Sequence, residues 1–280
     1  MFFSKPAKSM WRLSRGAVAS SLGLSLAAVR RGSVGGINLV FPPSCLLCGS
    51  DMPARHSLPL LCEECVGNFG YRGAPVCAVC AAPLPKIGES AGNCLYCEER
   101  RYRFAASWAL GMYEGKLRDA VLRMKLAAYE PLSLSIGAAL ADYLPSQLGS
   151  HAPDLAVPVP MHWWRRWHRG ANCPDLLAEC VAERLRIPAA AGLLKCRRRA
   201  KKQGTLLPGE RFRNMAGAFR VSPNYDIQGA KVLLVDDIMT TGATANAATK
   251  VLRRAGAKAV FVAVVARGIG LDDQPTTNSK

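Results

Sequence analysis

Val232-Leu233-Leu234-Val235-Asp236-Asp237-Ile238-Met239-Thr240-Thr241-Gly242-Ala243-Thr244 is the stretch on which the reading of this chain turns. Its four leading apolar residues read as a strand buried on both faces, as in a parallel sheet. Two carboxylates follow where that strand should emerge. Thr240 to Thr244 are all small or hydroxylated, and an Ala-rich helical pattern runs on from Ala245 to Arg254. Backbone N–H groups at a helix start point at an anion, and the helix dipole favours negative charge there. Threonine hydroxyls add donors, and Gly242 lets the backbone come close. The carboxylates can accept hydrogen bonds from vicinal hydroxyls of a sugar, so the stretch makes a place for a sugar phosphate. A response-regulator receiver also opens with apolar residues and Asp-Asp. It then needs an acceptor Asp after a later strand and a Lys beyond, whereas the one later apolar run, Val260 to Ala266, ends in Arg267.

Around this stretch the composition sets wide bounds. With 280 residues, half of them hydrophobic, the chain can bury a core in one large or two modest domains. No apolar run reaches the length of a membrane span. A formal charge of +17 implies an anionic partner, whether phosphorylated substrate, nucleic acid or membrane surface. Met1 to Gly36 carries six Lys or Arg and no acid. Its apolar part, Ala17 to Val29, has the flavour of a signal or transit segment, but Arg30 and Arg31 follow it directly without a convincing cleavage box. The reading is a basic, partly helical extension of little fixed structure.

Eight of the eleven cysteines fall in two copies of C-x2-C-x13-C-x2-C. Cys45, Cys48, Cys62 and Cys65 make the first; Cys77, Cys80, Cys94 and Cys97 make the second, each at +32 from its mate, which marks an internal duplication. Each C-x2-C can supply half of a tetrahedral shell of four thiolates. The Gly-, Pro- and Ser-rich segments between cannot build a core, so two structural zinc ions must supply the folding energy. A disulfide framework is the alternative; a nucleotide-sugar site on the same chain points instead to thiolates and a cytoplasmic setting. Spacing leaves sequential and cross-braced pairing both open. Cys173, Cys180 and Cys196 show no ligand spacing and read as buried small hydrophobes.

Between the cysteines and the quoted stretch, Ala105 to Met112 reads as a strand. Lys116 to Ala127 and Leu132 to Leu144 read as helices, Pro145 to Pro153 as a loop, and Leu176 to Leu185 as a further helix. Lys125 stands near the end of its helix, within reach of the sheet edge. Asp154 to Pro160 is a short strand whose prolines suit its end. Trp163, Trp164, Arg165, Arg166, Trp167 and Arg169 interleave aromatics with cations, as a single-strand nucleic-acid binder or a pyrophosphate loop does. Lys195 to Lys202 holds six cations in eight residues. With the segment to Phe219 it reads as a mobile flap over the site.

Val232 to Thr244 resembles the diphosphate-sugar signature of the type I phosphoribosyltransferases. That resemblance implies that Asp236 and Asp237 hold the ribose hydroxyls of phosphoribosyl pyrophosphate, while Thr240, Thr241, Gly242, Ala243 and Thr244 cradle its 5′-phosphate. Pro158 to His162 (P-V-P-x-H), Arg169 to Asn172 (R-G-x-N) and Lys202, Leu206, Arg211, Asn214, Ala218 and Phe219 resemble the ComF competence family over about residues 38–267. The family has Phe-Asn-Gln where this chain has Ala171-Asn172-Cys173, and a more Arg-rich loop where it has Trp163 and Trp164. The resemblance implies an α/β fold: a mostly parallel phosphoribosyltransferase-type sheet flanked by helices, preceded by a small double zinc ribbon. The expected division is a basic, poorly ordered extension over 1–36, the double ribbon over 37–100, the phosphoribosyltransferase-like domain over 101–267 and a disordered tail over 268–280.

The implied activity is transfer of a phosphoribosyl group from phosphoribosyl pyrophosphate with Mg²⁺, with Arg165 and Lys202 on the pyrophosphate side and a role in DNA uptake. A hydroxyl at Thr240, where purine-salvage members often carry a carboxylate, disfavours purine acceptors. The rival from another class is a non-catalytic protein handling single-stranded DNA with other competence proteins through its ribbons and Trp/Arg loop.

Overall fold

Strand β5, Lys231–Met239, is the centre of the molecule. A computed structural model describes residues 43–53, 60–71, 74–84, 94–161, 173–197 and 208–269. The basic N-terminal extension, the Trp/Arg loop with Arg165, the cationic run from Arg198 to Lys202 and the chain beyond Ile269 lie outside the described residues. From Pro43 the chain forms one compact unit, so the cysteine-rich region and the sheet belong to the same body.

In chain order the elements are α1 (Glu63–Gly67), α2 (Leu95–Arg100), β1 (Ala106–Met112), α3 (Gly115–Arg123), α4 (Glu130–Leu148), β2 (Leu155–Pro158), α5 (Cys173–Leu185), β3 (Leu194–Cys196), α6 (Pro208–Met215), β4 (Phe219–Val221), β5, α7 (Ala243–Arg254) and β6 (Ala259–Arg267). The main sheet has strand order β1-β6-β5-β2 and every pairing is parallel. This is the fold class expected of the sequence.

Side chains alternate across a strand, and the apolar run of β5 feeds a core on each face. Leu233 and Val235 join one cluster with Leu117 of α3, Leu140 of α4 and Leu177 of α5. Val232 and Leu234 join the other, with Ala248 and Leu252 of α7, Leu194 of β3 and Phe219 of β4. Burial on both faces is why β5 and β6 read as continuous apolar runs rather than alternating ones. The chain leaves β2 for α5 on one face and leaves β5 for α7 on the other. The connections after the adjacent strands β2 and β5 therefore go to opposite faces, which makes their C-terminal ends the switch point of the sheet, where open α/β folds bind ligands.

Three local expectations change. Helix α4 does not stop before Pro145 but runs through it to Leu148. Pro145 falls in the last turn, where the missing N–H costs one ladder bond close to the helix end. The stretch from Lys195 to Phe219, expected as a single flap, begins and ends in an antiparallel pair, Lys195 opposite Arg220 and Cys196 opposite Phe219, with α6 between. Packing of Leu194, Met215 and Phe219 against the α7 face anchors both ends. The packed chain also continues through Gly268, whose N–H donates to the Met239 carbonyl at 2.9 Å, and through Ile269, which lies against the second cysteine group.

Candidate functional site

The duplication seen in the cysteines recurs in the backbone. Ser44 bridges Asp51 and Val76 bridges Pro83, offset by 32 residues. The turn bonds from the Cys45 N–H to the Ser50 carbonyl and from the Cys77 N–H to the Ala82 carbonyl, both 2.8 Å, keep the same offset. Gly49 and its mate Ala81 both take positive φ, 76° and 51°. Cys62 and Cys94 precede α1 and α2 in the same relation.

The thiols gather as Cys45, Cys48, Cys62, Cys65 and as Cys77, Cys80, Cys94, Cys97, with all ligand atoms of a group within 4.8 Å of one another. This is the sequential pairing, and the cross-braced alternative is removed. Cys48 and Cys62 sulfurs stand 3.6 Å apart, as do Cys77 and Cys97, and Cys80 and Cys94. A tetrahedron with Zn–S arms of about 2.3 Å has edges of about 3.8 Å, so both groups fit zinc. Thiols this close titrate against one another. Hydrogen bonds from Cys80 and Cys97 hold Cys77 far down, while Cys80 is pushed up to about 12 by Cys77 and Cys97 rises for the same reason. A divalent ion removes that conflict by taking all four as thiolates.

At the other centre β5 continues past the apolar run, so Asp236 and Asp237 lie within its last pleats rather than beyond it. The reason is β6, which runs equally far and keeps the ladder going to Met239 opposite Arg267. Alternation then sends the two carboxylates to opposite sides. Asp236 lines a cleft with Thr240, Gly242, Ala243 and Thr244 at the start of α7. Asp237 turns to the α3 side, where Lys125 Nζ meets its Oδ2 at 3.2 Å. Each carboxylate also accepts the N–H of the next residue, Asp237 onto Asp236 at 2.9 Å and Ile238 onto Asp237 at 2.8 Å. Burial pushes the Asp236 carboxyl well above the usual range and the neighbouring Asp237 adds to it, against a smaller pull from Lys125. Asp236 keeps some surface toward the cleft, so the effect comes from the depth of protein around its carboxyl.

The turn itself is tightly specified. Gly242 takes φ 74°, a left-handed conformation that suits glycine. A Cβ there would stand 2.6 Å from Cε1 of Tyr102. Thr241 is fully buried, and its hydroxyl accepts the Ala243 N–H at 3.4 Å, so it shapes the turn from inside. Tyr102 donates its hydroxyl to the Thr241 carbonyl at 3.0 Å, and burial pushes its phenol up to about 12. Two participants escaped sequence reasoning. Tyr102 carries no motif. Arg267 was visible only as the cation that ends an apolar run, yet it is fully buried behind the turn. Arg165 and Lys202, expected on the pyrophosphate side, lie outside the described residues. Cys173, which opens α5, is buried and donates its thiol to the Met124 carbonyl at 2.7 Å; Cys180 and Cys196 are half-buried.

Comparison with known proteins agrees with this anatomy. The double zinc ribbon domain family matches residues 36–99 and the phosphoribosyl transferase domain family matches residues 176–277. A double zinc ribbon joined to a phosphoribosyltransferase domain is the class of protein that fold and sites define. Competence protein F of Haemophilus influenzae is 28% identical over 233 residues, covering 80% of this chain and 96% of its own. DNA utilization protein YhgH of Salmonella typhimurium is 29% identical over 231 residues with the same coverage. Competence protein ComFC of Streptococcus pneumoniae is 26% identical over 234 residues, 77% of this chain and 96% of its own. The chain thus carries both domains and is similar along most of its length to competence and DNA utilization proteins. Among the described residues no helix is long and apolar enough to cross a membrane.

Proposed function

We propose that the chain binds phosphoribosyl pyrophosphate with Mg²⁺ at the C-terminal end of β5 and transfers its phosphoribosyl group to an acceptor in the service of DNA uptake or use. The observation that carries this is the shared cleft of Asp236 and the Thr240–Thr244 turn at the N-terminus of α7. The enclosed part of the cleft is about 20 Å³, room for a single water. The sugar phosphate therefore sits at its mouth, against the amides of the turn and the Asp236 carboxylate. Oxygen donors line this rim, which suits Mg²⁺ rather than a thiol-seeking ion. Mg²⁺ bound with the pyrophosphate supplies neutralising charge for the leaving group.

In the reaction a bond forms from the acceptor to C1 of the ribose while the bond from C1 to the pyrophosphate oxygen breaks, and the electron pair leaves with pyrophosphate. The residues orient the ribose and hold the 5′-phosphate, which is positioning and electrostatic stabilisation. The link to DNA follows the names of the relatives, which are competence and DNA utilization proteins. Titration calorimetry with phosphoribosyl pyrophosphate and Mg²⁺ tests the reading. Binding is expected for the wild type and lost, at least tenfold, in Asp236→Asn/Asp237→Asn; equal heats from both proteins defeat it.

A further inference from the structure

Arg267 is a fully buried cation for which hydrogen bonding gives only carbonyl partners. Its Nε donates to the Cys80 carbonyl at 2.8 Å. Its Nη1 donates to the Met239 carbonyl at 3.0 Å and also to those of Thr240 and Gly268. Its Nη2 is buried without a hydrogen-bond partner among the described residues, and its guanidinium carbon lies 5.9 Å from the centroid of the Tyr96 ring. A buried charge in such surroundings calls for a counter-charge. The second cysteine group supplies one, since four thiolates around one divalent ion carry a net charge of about −2. Cys80 is both a member of that group and the acceptor of the Arg267 Nε bond.

On its other side the same guanidinium holds the turn. A planar peptide puts its C=O and N–H on opposite sides. Tying back the carbonyls of Met239 and Thr240 through Arg267, and that of Thr241 through Tyr102, turns the N–H groups of Thr240, Thr241 and Gly242 away from them. Tyr102 belongs to the same assembly, for it packs against the cluster of Cys77, Cys80 and Cys94. The first cysteine group has no such connection among the described residues: its neighbour Arg123 donates to the carbonyls of Leu46 and Leu47 at an exposed edge.

We infer that Arg267 is a positioning residue that couples the second zinc site to the anion-binding turn: it balances the thiolate charge with one side of its fork and fixes the Met239–Thr241 carbonyls with the other. The effect on ligand binding rests on the phosphoribosyl pyrophosphate reading; the coupling itself does not. Zinc at the second site then rigidifies the turn, and zinc at the first does not.

The test uses the full chain loaded with zinc, followed by hydrogen–deuterium exchange over residues 239–246 and by zinc release to a chromogenic chelator. Cys94→Ser/Cys97→Ser raises exchange of the turn at least tenfold, and Cys48→Ser/Cys62→Ser leaves it within twofold. Arg267→Lys keeps the charge but loses the fork, so it retains the second zinc while the turn exchanges faster. Arg267→Met loses both. An unmoved turn on loss of the second cysteine group, an equal rise on loss of the first, or wild-type exchange in Arg267→Lys overturns the coupling. Wild-type zinc retention in Arg267→Met overturns the charge balance. Exchange across β1 (106–112) shows whether a cysteine variant has unfolded, in which case Arg267→Lys decides. Titration of the wild type with phosphoribosyl pyrophosphate separates the two ideas: absence of heat defeats the proposed ligand, while the exchange result still judges the clamp.

Discussion

Replacing Gly242 by Ala strains the turn in two separable ways. An L-residue at φ 74° costs about 1–2 kcal/mol in backbone energy. The new Cβ also lands 2.6 Å from Cε1 and 3.3 Å from Cζ of Tyr102. That ring cannot step aside freely, because it stacks on Phe104 with centroids 4.7 Å apart and its hydroxyl is engaged by the Thr241 carbonyl. Forcing atoms into a packed site costs about 1–3 kcal/mol, so Gly242→Ala should destabilise the chain by about 2–5 kcal/mol in all. In a Tyr102→Ala background the obstructing atoms are gone, and the same change should cost only the backbone part, about 1–2 kcal/mol. Urea denaturation of the four proteins of this cycle, at fixed zinc content, gives the coupling directly. Additivity within about 0.5 kcal/mol would refute the claim that Tyr102 packs against the glycine, since only groups in contact couple.

Three further outcomes are expected. At Gly111 an added Cβ would overlap the Phe69 carbonyl oxygen, a backbone atom, so Gly111→Ala should separate the first ribbon from β1 and cost at least about 3 kcal/mol; a thermal midpoint equal to wild type would show the contact to be dispensable. Asp236 has a folded pKa raised above its unfolded value, so the carboxyl costs nothing below the unfolded value near 4 and erodes stability as pH rises through the raised one. Asp236→Asn should therefore be more stable than wild type at pH 7, by a margin that shrinks towards pH 4, and a pH-independent difference between the two denaturation midpoints contradicts this. Elemental analysis should return two zinc ions per chain, falling to one in Cys48→Ser/Cys62→Ser, with protons released on zinc uptake; a chain free of metal with oxidised thiols would count against both sites.

Much of this molecule was legible in residue order because its signals are local. The +32 offset of the cysteines reappears as matched turns and bridges, since a C-x2-C knuckle is specified within a few residues. The run from Val232 to Val235 announced a strand buried on both faces, and Gly242 announced a close approach of the backbone, which the structure meets with a left-handed turn. Pairing of the thiols, by contrast, was undetermined, because sequential and cross-braced ribbons use the same spacing and differ only in which loops meet. The end of β5 was also misplaced: nothing in Asp-Asp says that β6 will extend beside it and hold both acids within the ladder. Once they are in a strand, alternation separates them, leaving Asp236 on the cleft and Asp237 with Lys125.

The sequence by itself therefore determined the strand, the small-residue loop after it and the four C-x2-C knuckles, each a property of neighbouring residues. Tertiary structure alone decided that Arg267 and Tyr102, one at the end of the last described strand and one just past the second ribbon, converge behind one turn, Arg267 on the Met239 and Thr240 carbonyls and Tyr102 on that of Thr241. The physical reason is that a buried cation is fixed by whatever acceptors and counter-charges the fold brings round it. Those partners lie at Cys80, Met239 and Thr240, positions that no short-range pattern connects.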